Sequence, residues 1–122
     1  MPNNEKIEFV EIMKERFKQY VIRSTKLYQA MPVSGEAKIF GNQFLRSASS
    51  AGANYRSACR ARSAKEFFSK MSIVVEELDE SCFWIEIITE TEILPETKTQ
   101  NLMNEANELL SICAKARKNT FK

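Results

Sequence analysis

From Phe67 to Ile88, apolar side chains recur at steps of three and four through Met71, Val74, Leu78, Cys82 (with Ser81 beside it) and Ile85. That period holds them on one face of a single helix of about six turns. A rod of this length needs a partner of similar length, and the sequence supplies one immediately upstream. Ser47, Ala48, Ser49, Ser50, Ala51, Gly52 and Ala53 have almost no side-chain bulk, so another helix backbone can approach them closely. The stretch 46–90 is therefore expected to form two long helices folded back on each other near residues 61–63.

The flanking segments have the same character. Ile7, Val10, Met13, Phe17, Tyr20, Val21, Ser24, Leu27 and Tyr28 make a helical stripe that ends at Met31 and Pro32, because proline disfavours helical conformation in the residue before it. Ser34 can cap the next helix, whose inward set is read as Ile39, Phe40, Phe44, Ser47, Ala48, Ala51, Tyr55, Ala58 and Cys59. Gly41 and Gly52 lie inside it and each costs up to about 1 kcal/mol relative to alanine, for which close helix contact is the expected compensation. Ser63 precedes Glu66 by the capping-box spacing. Pro95 suits the first turn of a last helix carrying Leu102, Met103, Ala106, Leu109, Leu110, Ile112, Cys113 and Ala116.

With only three glycines and three prolines in 122 residues, little material is left for the turns of an all-β fold. The expectation is one all-α domain spanning 1–122, an antiparallel up-down-up-down four-helix bundle with helices at about 4–30, 35–61, 64–91 and 96–118.

Two features go beyond packing. The third helix carries a second apolar set, Phe68, Val75, Phe83, Trp84 and Ile87, and only Glu86 interrupts the run from Cys82 to Ile88. A bundle buries one stripe per helix, so Phe83, Trp84 and Ile87 are read as an interface between copies of the chain. The second feature is charge. Residues 1–70 hold 13 lysines and arginines against 6 acids, whereas residues 71–122 hold 5 against 10. Arg56, Arg60, Arg62 and Lys65 follow one another with no acid until Glu66, at the bend, and are the candidate phosphate-binding cluster. Lys115, Arg117 and Lys118 are further candidates, although cations in a last helical turn also complement the helix dipole. Tyr55 and Phe121 are the aromatic residues considered for base stacking.

The sequence has no histidine, so imidazole acid-base catalysis and the Glu-x-x-His di-metal bundle are excluded. Neither phosphate-cradling glycine motif is present. No catalytic residue, cofactor or metal is therefore assigned, and the chain is read as non-enzymatic. Glu76, Glu77, Asp79 and Glu80 are read as ion-pair partners. A turn near residue 62 sets positions whose numbers sum to about 125 opposite each other, which brings Arg46 beside Glu77 and Glu80 as a partly buried pair. The same register turns Asn54 towards the facing helix for a hydrogen bond across the interface. Cys59, Cys82 and Cys113 are spaced as structural thiols, not as a disulfide or zinc framework. The first residues are charged throughout and no apolar run is long enough to span a bilayer, so cytoplasmic residence without a membrane is expected.

The pattern Asn42, Gln43, Phe44, Leu45, Arg46, Ser47, Ala48, then Ser50, Ala51, Gly52, Ala53, Asn54, Tyr55, followed by Ala58, Ser63, Lys65, Glu66, Phe67 and by Glu77, Leu78, Asp79, Glu80, Ser81, Phe83, Trp84, covers about half the chain. It resembles the bacterial four-helix bundle family of 23S rRNA intervening-sequence proteins, once labelled S23 ribosomal protein and related to the accessory variability determinant of diversity-generating retroelements. The resemblance implies an antiparallel four-helix bundle assembled as a homopentamer and, for the retroelement branch, binding of RNA and a reverse transcriptase through a basic surface. One departure is Arg56–Ser57, where related sequences often carry an acid after the Asn-Tyr pair; it makes this site more basic. The leading expectation is a homo-oligomer that associates with RNA. The alternative is a protein-interaction scaffold without nucleic-acid binding, including a reverse-transcriptase accessory role.

Overall fold

The computed structural model describes residues 4–122 as four helices: α1 (Asn4–Gln29), α2 (Gly35–Cys59), α3 (Ala64–Glu90) and α4 (Glu96–Lys118). They form an all-α, up-down-up-down bundle in which α2 packs on α3, α3 on α4, α1 on α2 and, least extensively, α1 on α4. The diagonal is closed by side chains. The Tyr20 hydroxyl on α1 meets Ser81 Oγ on α3 at 2.7 Å, and because Ser81 donates its own proton to the Leu78 carbonyl, Tyr20 is the donor.

Local chemistry sets the helix ends. Ser34 and Ser63 each take an amide of the first turn, from Ala37 at 3.3 Å and from Glu66 at 3.0 Å. α2 stops at Cys59, two residues short of the expected end, with Arg60 as its C-cap. Pro95 sits at the N-cap of α4 rather than inside its first turn. Beyond α3, Glu92 adopts φ of 58°; its amide bonds Thr89 O and the amide of Ile93 bonds Ile88 O, the paired closure that usually employs glycine.

The core is the expected stripe on α3, from Met71 through Val74, Leu78, Cys82 and Ile85 to Ile88, packed against Met13, Phe17, Tyr20, Phe44, Ala48, Ala51, Leu109 and Cys113. The small-residue run brings α1 onto α2. A Cβ at Gly52 would lie 2.6 Å from Val21 Cγ2, and one at Gly41 would lie 3.0 Å from the Tyr28 ring.

Three expectations are corrected. Ile7 and Ile39 are exposed. Phe17 stacks on Tyr55, and the antiparallel register then sets Ile7 opposite a position beyond the end of α2 at Cys59, so α2 does not cover it and it stays 48% exposed. Ala37, Gly41 and Phe44 face inward, so Ile39, two residues after Ala37, points to the far side of α2. Asn54 makes no bond across the interface; its Nδ2 donates to the carbonyl and hydroxyl of Ser50 one turn back.

All three thiols are free. Burial pushes Cys82 up to about 11 and Cys113 up to about 12, so both are unreactive packing groups.

Candidate nucleic-acid interface

The antiparallel order sends the C-terminus of α2, the N-terminus of α3 and the C-terminus of α4 to one end of the bundle. Arg56 occupies the last turn of α2, Arg60 its cap, Arg62 the connection and Lys65 the first turn of α3, and all four are exposed. Lys115 and Lys118 are exposed on the last turns of α4 at the same end. Among the described residues, only Arg62 of these six has a carboxylate partner, Glu66 at 3.7 Å. Dipole complementation accounts for Arg56, Lys115 and Lys118 at helix C-termini. It does not account for Lys65, a cation in the first turn of α3, where the dipole is already positive.

Arg117 stands apart from the other candidates. Its Nε donates to Ser72 Oγ at 2.6 Å and its guanidinium lies 4.3 Å from the centre of the Phe68 ring, so it is spent on joining α4 to α3. Tyr55 is likewise withdrawn from any surface role. It is 7% exposed and stacked on Phe17 with ring centres 4.3 Å apart, and burial pushes its hydroxyl pKa up.

The basic surface extends farther than the sequence reading placed it. A groove of about 440 Å³ runs between α1 and α2, floored by Phe17, Val21 and Gly52 and edged by Lys18, Arg56 and Lys14, the last of which is ion-paired with Glu11 at 3.2 Å. Lys14 and Lys18 are one turn apart on α1, a spacing visible in the sequence, and the register that stacks Phe17 on Tyr55 carries them towards Arg56.

Arg46 lies outside this region. It donates to Glu77 at 3.1 Å and Glu80 at 2.5 Å, joining α2 to α3. The arginine is half exposed while the Glu77 and Glu80 side chains are 17% and 34% exposed, so the pair is partly buried on its carboxylate side and open on its guanidinium side. The indole of Trp84 also donates to Glu80, at 3.0 Å, and these donors hold the carboxyl below the usual carboxylate range, the indole more strongly than the arginine. Trp84 stacks on Phe40 of α2 at 5.7 Å, and Ile87 is half-buried. Phe83 rests edge-on against Trp84 and remains 49% exposed, with Ile73 also exposed on this helix. Of the three candidate interface residues, Phe83 therefore presents the most free apolar surface.

No group of histidines, cysteines or carboxylates among the described residues is arranged to hold a metal ion. No helix of the described residues is long and apolar enough to cross a membrane.

Residues 10–115 match the model of the family described as 23S rRNA-intervening sequence protein. The fold is similar to a crystal structure of a protein of unknown function from the S23 ribosomal protein family of Bacteroides thetaiotaomicron. The TM-score is 0.80 at 27% identity, over 90% of this chain and 98% of that one. No curated protein matches the sequence. Neither description indicates an enzymatic activity. With a family match spanning all four helices and the fold to accompany it, the chain belongs to the 23S rRNA-intervening sequence protein family.

Proposed function

We propose that this protein is a non-enzymatic, homo-oligomeric bundle that associates with RNA through the end bearing Arg56, Arg60, Arg62, Lys65, Lys115 and Lys118. The observation that carries the reading is this convergence of exposed cations from three helices, five of them without a carboxylate partner among the described residues. Phosphate is recognised by such a surface through charge and counterion release, without base readout. Self-association through the Phe83 face, with Trp84 and Ile87 behind it, would present several copies of the cationic end and raise affinity for a long polyanion by avidity. A pentamer is the assembly that the family resemblance favours.

The test is a salt titration of RNA binding. Affinity for single-stranded RNA should fall with log[salt] at a slope of about −0.7 per phosphate contacted. Charge reversal at both Arg56 and Arg60 should flatten that slope and weaken binding at low salt. A wild-type protein that binds no RNA at low salt would overturn the reading and leave the scaffold, with a reverse transcriptase as one such partner. Assembly is read by light scattering: Phe83→Glu should dissociate the oligomer, and a wild-type monomer at micromolar concentration would refute the interface.

A further inference from the structure

Residues 119–122, after α4, do not simply trail off. The amides of Asn119, Thr120 and Lys122 bond the carbonyls of Lys115, Arg117 and Asn119, and the Thr120 hydroxyl bonds Ala116 O, so the winding continues through residue 122. This fixes Phe121, whose ring lies 5.3 Å from that of Phe68 yet is 65% exposed. Phe68 is in turn braced beneath the Arg117 guanidinium, and Ser72 links the two by accepting from Arg117 Nε and donating to the Phe68 carbonyl. An aromatic ring is thus held on a rigid support with one side open to solvent. Lys118 and Lys122 flank it in the sequence, and Lys65 stands one turn before Phe68 on α3.

Rings interleaved with cations are how single strands are bound without sequence preference: phosphates take the charges and an unstacked base takes the ring. A double helix offers the same phosphates but keeps its bases stacked inside. Burying an aromatic against its own core would satisfy packing alone; supporting one at the surface among lysines adds a π-face where a polyanion lies.

We infer that Phe121, supported by Phe68 and Arg117, is a stacking platform for an unpaired base of single-stranded RNA, with Lys65, Lys118 and Lys122 taking the neighbouring phosphates. This rests on the RNA-binding reading above and adds to it a ligand form and a residue. Arg117 acts here as a positioning residue and not as a phosphate contact.

The experiment compares two probes of equal length and charge, a uridine oligomer and its abasic ribose-phosphate analogue, against the 122-residue chain and its variants. Phe121→Ala should lose about tenfold in affinity for the uridine oligomer, in keeping with the loss of one stacked base. Its affinity for the abasic oligomer and its salt slope should match the wild type, and Phe121→Trp should restore uridine binding. Helical circular dichroism of each variant establishes that the bundle is intact. Equal affinity of wild type and Phe121→Ala for the uridine oligomer would overturn the inference while leaving RNA binding in place. An equal loss on both probes would also overturn it, since the ring would then be holding the lysines and not a base. Failure of the wild type to bind either oligomer at low salt would remove the RNA-binding reading itself.

Discussion

Gly52 allows a direct energetic test of how α1 meets α2. In an isolated helix Gly52→Ala would stabilise by about 0.8–1.0 kcal/mol, because alanine loses less backbone entropy. In this bundle the new methyl would stand 2.6 Å from Val21 Cγ2, whereas carbon atoms make favourable contact at about 3.5–4.0 Å. Nearly 1 Å of relief is needed, and the obstructing atom belongs to a β-branched side chain with one preferred rotamer in a helix, so it cannot swing away cheaply. Overpacking of this kind costs about 1–3 kcal/mol. Taking about 2 kcal/mol for the clash and about 1 kcal/mol for the propensity gain, the net effect is a loss of about 1 kcal/mol. For a chain of this length that corresponds to a Tm lower by about 4 °C.

The double-mutant cycle separates the two contributions. In a Val21→Ala background the obstructing atom is gone, so Gly52→Ala should stabilise by the propensity alone, about 1 kcal/mol, giving a coupling of about 2 kcal/mol between positions 21 and 52. Gly35 is the internal control: nothing lies within 4 Å of a Cβ there, and Gly35→Ala should stabilise by about 0.4–1 kcal/mol. Urea unfolding at one fixed protein concentration measures all of these, since self-association would otherwise shift the midpoints. If Gly52→Ala stabilises the wild type as much as it stabilises Val21→Ala, the close approach of α1 and α2 described here is wrong.

Glu92, in the left-handed region with φ of 58°, should gain about 1 kcal/mol of stability as Glu92→Gly, because glycine adopts that conformation without the Cβ penalty; an unchanged urea midpoint would refute this reading of the α3–α4 turn. Glu80 has its pKa lowered from 4.5 in the folded protein, so its contribution to stability is present above that value and is lost as pH falls through the lower folded value. Because Trp84 is the single tryptophan and donates to Glu80, its emission should titrate with a midpoint below 4.5, and Glu80→Gln should abolish that titration; a midpoint at or above 4.5 would contradict the assignment.

The parts of this molecule that were legible in the sequence are those in which one physical rule dominates. Apolar spacing fixed the direction of the α3 core from Met71 to Ile88, and serine caps marked the starts of α2 and α3. Counting back from the bend set Arg46 against Glu77 and Glu80, since an antiparallel pair with a short turn has little freedom of register. The turn after α3 was not legible, because the left-handed position holds glutamate and carries no glycine signal. Ile7 was misplaced because periodicity names a face but not whether a neighbouring helix reaches that far. The candidate interface divides in the same way. Exposure of Arg56, Arg60, Arg62 and Lys65 follows from their place at a bend, which is a local property. The fates of Arg117 and Tyr55 depend on Ser72, Phe68 and Phe17, residues 38 to 49 positions away that share no pattern with them. Long side chains at a bundle end can turn outward to solvent or inward across a seam, and the choice rests on which neighbours the fold delivers. For Arg117 the neighbours were a hydroxyl and an aromatic face, and the same choice that removed it from the phosphate-binding set left Phe121 supported from below and open above.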